Sequence, residues 1–418
     1  YLTNLHTILY NFIILCSINY NMKIGLLKEG KIPPDKRVPF SPAQCAHIMN
    51  IYPKVSICIQ PSLNRCFSDK DYVKKGVFLQ QDLSDCDVIM GVKEVPVDML
   101  LDQKLFFFFS HTIKKQPYNK ILLQKIIQKK IQLVDYETLV DDKNKRIIGF
   151  GRYAGIVGCY NTFLAYGYKT KKYHLSFAHL LDSKKDLEKE LLKVELPSDF
   201  KIILTGSGRV ASGVIEILDC LGVKKISKED FINNDFNYPT YVQLSPLDYN
   251  ERIDGKAISK DDFYSFPERY QSCLLNYAIH ANMLITGHYY ASNSPTILSR
   301  KDFRCPSLNI EVVGDISCDI DGPIGCTIRP STIQSPIYGY NPSTEKEDDY
   351  TDENNIVVMA VDNLPCSLPK DASIDFGQTF IDQVLPDLIS KRVIVSRATI
   401  AMDGELSKRF RYLSDYIS

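Results

Sequence analysis

Short apolar runs alternate with segments of helical periodicity along most of this chain. Lys23–Leu27, Val55–Ile59, Val88–Val92, Leu105–Phe109 and Ile131–Val134 are apolar and of strand length, which predicts buried strands. Pro42 to Met49 predicts a helix, with Ser41 as its N-cap and Pro42 at its first position. Strands separated by helices predict parallel βαβ units. The stretch from Gly149 to Gly167 carries Gly151, Ala154, Gly155 and Gly158, the pattern of a close-packed helix that also connects two domains. A second series of strands opens at Phe200–Thr205 and continues at Asn282–Thr286 and Ile310–Val313. Residues 230–270 read as a polar insertion, and 343–354 (STEKEDDYTDEN) as a solvated acidic loop. The last section, from about Asp371, predicts a helix over Phe376–Ile389 that packs back on the first domain.

The run GSGRVASG, Gly206 to Gly213, directly follows the apolar stretch ending at Thr205. Gly206, Gly208 and Ala211 fit G-x-G-x-x-G/A between a strand and a helix. The first glycine permits the tight turn, and the second lets backbone approach a pyrophosphate. The small third residue lets helix pack on strand, and the helix N-terminus favours the phosphate charge. The other reading is a glycine-rich turn with no ligand. The fold class that follows is α/β, with two Rossmann-like doubly wound parallel-sheet domains and an interdomain cleft.

Composition narrows the picture. Lysine plus arginine number 50, as do aspartate plus glutamate, so no basic footprint points to nucleic acid or an anionic membrane. Twelve cysteines are scattered without a C-x-x-C, and there is no H-E-x-x-H. That pattern suits reduced thiols in the cytoplasm, with neither a disulfide framework nor a metal site. Residues 1–21 are apolar and asparagine-rich, without Lys or Arg, and fit neither a signal peptide nor a membrane span. They read as a non-native or dispensable extension ahead of Met22.

Two apolar runs of the first half end in candidate chemistry. Val88–Val92 is followed by Lys93 and Glu94, and Phe106–Phe109 by Ser110 and His111. Ligands of parallel α/β sheets sit outside the carboxyl ends of strands, which places Lys93 and His111 together at one rim. Histidine titrates near neutrality, and a desolvated lysine can take a proton. The same residues also read as a surface ion pair and a strand cap.

The phrases MGVKEVP (Met90 to Pro96), FFFFSHTIKKQ (Phe106 to Gln116), FGRYAG (Phe150 to Gly155), GDISCDIDGPI (Gly314 to Ile324), RPSTI (Arg329 to Ile333) and DNLPCSLPKDAS (Asp362 to Ser373) occur in one order. In them the chain resembles the saccharopine dehydrogenase / lysine–2-oxoglutarate reductase family, a relative of alanine dehydrogenase and the transhydrogenase N-terminal domain. The resemblance implies that residues 22–150 with 371–418 form the substrate domain and 151–370 the dinucleotide-binding domain. It implies Lys93 and His111 as the acid/base pair, and Arg37, Lys114, Arg146 and Phe150 as substrate contacts. It also implies Gly206, Gly208, Arg209 and Val210 as the phosphate loop, with Asp315, Ile316 and Ser317 beside the nicotinamide and its ribose.

The implied reaction is the reversible, NAD(P)-dependent interconversion of saccharopine with lysine and 2-oxoglutarate, with NAD the expected cofactor and NADP the alternative. Lys93 takes the amine proton, and His111 serves imine hydration. The substrate's three carboxylates suit Arg37 and Arg146. An alanine-dehydrogenase-like oxidoreductase and a non-catalytic nucleotide sensor are the alternatives. Arg152 stands where the lysine-forming enzymes tend to have an aromatic residue. Glu229 lies about 20 residues past the fingerprint and suits a ribose 2′-hydroxyl, hence NAD; Ser227 with Lys228 suits the 2′-phosphate of NADP. The expected partners are these small molecules, with no nucleic acid and no membrane, in a monomer or homo-oligomer.

Overall fold

A computed structural model of the chain describes residues 21–30, 35–291, 293–390 and 393–418. The reading of residues 1–21 falls, apart from Asn21, outside the described residues. The described chain divides into two units: one runs up to Phe150 and resumes over Pro369–Ser418, and the other is Gly151–Leu368.

The first unit is built on an eight-stranded sheet. Starting from Met22–Leu26, the sheet extends one way through Val55–Ile59 to Phe78–Leu79, and the other way through Val88–Met90 and Leu105–Phe108 to Gln132–Asp135. All of these pairings are parallel. This is a doubly wound order, and its switch point lies between the Met22–Leu26 and Val88–Met90 strands. Two antiparallel strands, Thr399–Met402 and Glu405–Leu406, extend the sheet beyond Gln132–Asp135. Ser41 caps the Pro42–Ile51 helix through a full capping box with Gln44. Phe40, Phe107, Tyr136, Phe376 and Phe380 meet edge to face in the core. Through Phe376 and Phe380 the C-terminal segment belongs to this core.

The second unit carries an eight-stranded sheet around Lys201–Thr205. Met283–Thr286, Val312–Asp315 and Ile356–Met359 follow in parallel on one side. Thr240–Leu244 and then Lys224–Lys225 lie on the other. Ile337–Asn341 and Lys346–Asp348 close one edge as an antiparallel hairpin. The helix Gly151–Thr170 is buried along nearly its whole length and packs on the helix Arg209–Cys220, where both lack side chains. A Cβ on Gly155 would collide with the backbone of Val210, and one on Gly213 with the carbonyl of Arg152. The side chain of Arg152 forks onto Glu216 at 2.5 and 2.7 Å and ties the same two helices.

Three sequence expectations are corrected. Residues 230–270 are not simply an insertion, because Thr240–Leu244 is an interior strand of the second sheet, one in from its edge. Its Thr and Gln, with Pro239 before it and Pro246 after it, hide a buried strand inside a polar stretch. The 343–354 loop contains the Lys346–Asp348 strand, whose charged, exposed side chains suit a sheet edge. The C-terminal helix begins at Pro369 and breaks into Pro369–Gln383 and Leu385–Ser390, because Pro386 cannot continue the first segment. Among the described residues, no helix is long and apolar enough to cross a membrane.

Candidate functional site

In the first unit, the residues that follow the strands at the switch point converge. Glu29, three residues beyond the first strand, accepts from the backbone N–H of Val92 at 2.6 Å and of Lys93 at 2.9 Å. Burial pushes its carboxyl up to about 7, against the pull of those two amides. Lys93 is half-buried beside it. The next residue, Glu94, places Oε1 at 2.5 Å from Nδ1 of His111, which follows the neighbouring strand. His111 holds a left-handed backbone, φ 52°, which is uncommon for a side chain of this size. Asp135, at the end of the next strand, fixes that turn by accepting from Ser110 N–H, Ser110 Oγ–H and His111 N–H at 2.8, 2.6 and 3.1 Å.

Lys114 and Arg146 reach the same rim. Glu137 lies 3.5 Å from Lys114 Nζ and 3.4 Å from Arg146 Nη2. The Arg146 guanidinium sits 5.5 Å over the ring of Phe109, on which the His111 imidazole also stacks. The Lys114 and Arg146 side chains stay 49% and 37% exposed, open enough to meet an anion. Arg37 is placed differently. Its side chain is 3% exposed, and Nε and Nη2 are forked onto Asp35 at 3.0 and 2.5 Å. The guanidinium lies 4.1 Å over Phe150, whose ring in turn stacks on Phe376 at 4.6 Å. Arg37 and Phe150 thus form the packed floor beside the rim. The Arg37 charge beside Asp35 holds that carboxyl well below the usual carboxylate range, although burial opposes it.

In the second unit the run Gly206–Gly213 makes the turn between the strand Lys201–Thr205 and the helix Arg209–Cys220. Gly206 takes φ 90°, and a side chain there would collide with the carbonyl of Gly287. Gly208 is the N-cap of the helix, no side chain caps that end, and a Cβ on Gly208 would meet nothing within 4 Å. An uncapped N-terminus behind an open glycine is a cradle for an anion. Arg209 and Val210 form the first turn. Asp315 ends a buried strand and accepts from the hydroxyls of Thr286, Ser317 and Thr327 at 2.8, 2.6 and 2.6 Å. Ile316 packs against Gly158. Glu229 lies apart from this group, exposed in the first turn of the helix Lys228–Asn233 beyond the edge strand Lys224–Lys225.

Sequence reasoning passed over the partners of these residues. Glu94 was named without its partner; sheet order joins it to His111, 17 residues on, and joins Asp135 to Ser110, 25 residues back, while Glu137 was passed over altogether. Gln243 was hidden in the overlooked strand; its Nε2 donates to Gly206 O at 3.0 Å, and its Oε1 accepts from Lys225 at 2.8 Å.

A family model for the alanine dehydrogenase/PNT N-terminal domain matches residues 25–157. The chain is 29% identical over 445 residues to alpha-aminoadipic semialdehyde synthase, mitochondrial, of Bos taurus, covering 95% of this chain and 48% of that protein. It therefore spans about half the length of the curated relatives it matches first. It is 23% identical over 346 residues to the saccharopine dehydrogenase (NAD(+), L-lysine-forming) of Neurospora crassa, covering 79% of this chain and 82% of that one. Among solved structures, an L-alanine dehydrogenase superimposes with a TM-score of 0.60 at 14% identity, over 95% of this chain and all of that one. That likeness gives the two-sheet α/β fold.

Proposed function

We propose that this chain, a homologue of the alpha-aminoadipic semialdehyde synthases and the fungal saccharopine dehydrogenases, interconverts saccharopine with lysine and 2-oxoglutarate. The observation that carries the reading is the rim of the first unit, where Lys93, the Glu94–His111 pair, Lys114 and Arg146 stand around strand ends at the switch point. A substrate with three carboxylates and one secondary amine needs several cations and two groups that move protons.

The open Gly208 and the uncapped helix behind it fit a dinucleotide pyrophosphate. When bound, the nicotinamide group supplies the redox chemistry. The chain's own residues do the rest. Lys93 takes the proton of the secondary amine in the lysine-forming direction. His111, oriented through Nδ1 by Glu94, presents Nε2 to the water that adds to the imine carbon and then assists collapse to lysine and 2-oxoglutarate. Arg146 and Lys114 hold carboxylates, and Glu137 between them keeps both side chains at the rim. Arg37, forked onto Asp35, shapes the floor.

For the cofactor, the strand beside the fingerprint strand ends at Gln243 and Leu244, with Ser245 just beyond it. Lys225 sits on Gln243, and Lys228 engages Asp248 at 2.6 Å. Glu229, exposed beyond the edge strand, would serve a ribose 2′-hydroxyl and hence NADH, while Lys225 and Lys228, released from Gln243 and Asp248, would serve the 2′-phosphate of NADPH. The described cysteines are all free thiols, in keeping with a reducing compartment such as the cytoplasm.

The test is absorbance of the reduced dinucleotide with lysine plus 2-oxoglutarate. Consumption that needs both substrates supports the reading. Consumption with pyruvate and ammonia instead would move the protein to alanine-dehydrogenase-like chemistry.

A further inference from the structure

His288 stands two residues beyond the strand Met283–Thr286, next to the strand that leads into the glycine run. Its backbone and the Gly287 carbonyl fill the space that a side chain on Gly206 would need. The imidazole is nine-tenths buried, with Nδ1 at 2.6 Å from Thr205 Oγ1. Its other nitrogen, Nε2, is buried and has no hydrogen-bond partner among the described residues. Burial lowers the imidazole to about 4, although Asp315 acts to raise it, so the ring is neutral near pH 7.

A neutral imidazole offers one donor and one acceptor nitrogen. The Thr205 hydroxyl can donate to Nδ1, which leaves Nε2 as the N–H donor. Native structures leave few such buried groups unpaired, because each forfeits its hydration without replacement. The backbone of His288 stands against the first glycine of an anion cradle, and its ring is anchored on Thr205, the residue before that glycine; phosphate and ribose oxygens there would supply acceptors. Among the described residues none pairs with Nε2: the Tyr249 ring is 6.4 Å away, and the Asp315 carboxylate is taken up by Thr286, Ser317 and Thr327.

We infer that His288 Nε2 is a binding contact for the dinucleotide, donating to a phosphate or ribose oxygen beside Gly206. The inference rests on the dinucleotide reading of that loop. It adds a side-chain donor that the glycine motif does not contain.

The experiment measures NADPH affinity by fluorescence, and thermal unfolding without ligand, for wild type, His288→Phe, His288→Gln and Gly208→Val. His288→Phe keeps an aromatic ring but removes both nitrogens, so it also leaves the buried Thr205 hydroxyl without its partner. It should raise the NADPH Kd about 10-fold, the loss of one hydrogen bond, with a modest drop in the ligand-free melting temperature from the unpaired Thr205 hydroxyl. His288→Gln, which carries an amide N–H near the Nε2 position, should recover part of the affinity. Unchanged affinity in His288→Phe, with affinity lost in Gly208→Val, would overturn the inference and leave the dinucleotide site standing; that is the result if a buried water already pairs Nε2. Unchanged affinity in Gly208→Val would overturn the dinucleotide site itself. If His288→Phe lowers affinity and stability together, the ¹⁵N resonance of wild-type His288 Nε2 decides. A shift on adding NADPH supports the contact, and an unmoved resonance overturns it.

Discussion

Glu94 Oε1 and His111 Nδ1 lie 2.5 Å apart, although the two residues leave different parallel strands of the sheet. A carboxylate on Nδ1 keeps the proton there and leaves Nε2 as the nitrogen free to exchange protons with a substrate. Asp135 adds a second restraint by holding the left-handed turn at His111 through its backbone N–H. The ring is thus oriented from both its side chain and its backbone, as a group that moves protons at a fixed point requires.

His111→Gln should therefore lower turnover by roughly 10²–10⁴-fold and leave the dinucleotide Kd unchanged. Glu94→Gln keeps a hydrogen-bonding group but removes the charge. Its cost should be smaller, about 10- to 100-fold in kcat, matching the loss of one charge-assisted hydrogen bond. Steady-state kinetics with a parallel binding titration separates the two. Equal KM effects and unchanged kcat in both variants would place the pair in binding instead.

Arg146→Ala should raise KM for 2-oxoglutarate and saccharopine with little change in kcat, because a carboxylate clamp serves ground state and transition state alike. Arg37→Ala should behave differently. Asp35 is buried and loses its forked partner, so the expected cost is roughly 3 kcal/mol of stability. Urea denaturation measures it. A loss below about 1 kcal/mol with a raised KM would move Arg37 from the floor into the substrate contacts.

Much of this architecture was legible in the chain, for physical reasons. Leu105–Phe108 and, apart from the exposed Ser56, Val55–Ile59 are largely buried and read as apolar runs. Lys93 and His111 stood out because polar groups directly after such runs mark strand ends. Thr240–Leu244 did not stand out, because a five-residue strand with Thr and Gln between proline-bearing turns has no apolar contrast. The charged strand Lys346–Asp348 reads as loop for the same property that protects an edge. Glu94 and Glu137 found their partners only through the order of strands in the sheet, and His288 through the turn it packs against; no local spacing encodes either.

The pH dependence of folding should carry the mark of Glu29. Its carboxyl is pushed up to about 7 from an ordinary value of 4.5. The folded protein then holds this proton more tightly than the unfolded chain does. The stabilisation is complete below about pH 4.5 and is lost as pH rises through about 7. Its size is at most roughly 3 kcal/mol. Glu29→Gln mimics the neutral acid and should flatten this slope, so the variant gains stability relative to wild type from pH 5 to pH 7.5. Parallel denaturation curves whose separation does not change with pH would contradict the shift.

Gly155→Ala should test the packing behind the phosphate loop. A methyl group there meets the backbone of Val210 and Val214, which cannot rotate away. The expected cost is about 1–3 kcal/mol, together with weaker NADPH binding as the first turn of the Arg209–Cys220 helix is displaced. Thermal unfolding and a binding titration read both effects. A variant with wild-type stability would show that the helices do not pack through these glycines.

The central claim is tested most directly by following one atom. NADPH carrying deuterium at both positions of the reactive ring carbon is mixed with lysine, 2-oxoglutarate and the protein, and the product is weighed by mass spectrometry. The account predicts saccharopine one mass unit heavier, with the label on the carbon that came from the 2-oxoglutarate carbonyl, and none formed by His111→Gln on the same timescale. Unlabelled saccharopine, or no saccharopine with either NADPH or NADH, would contradict it.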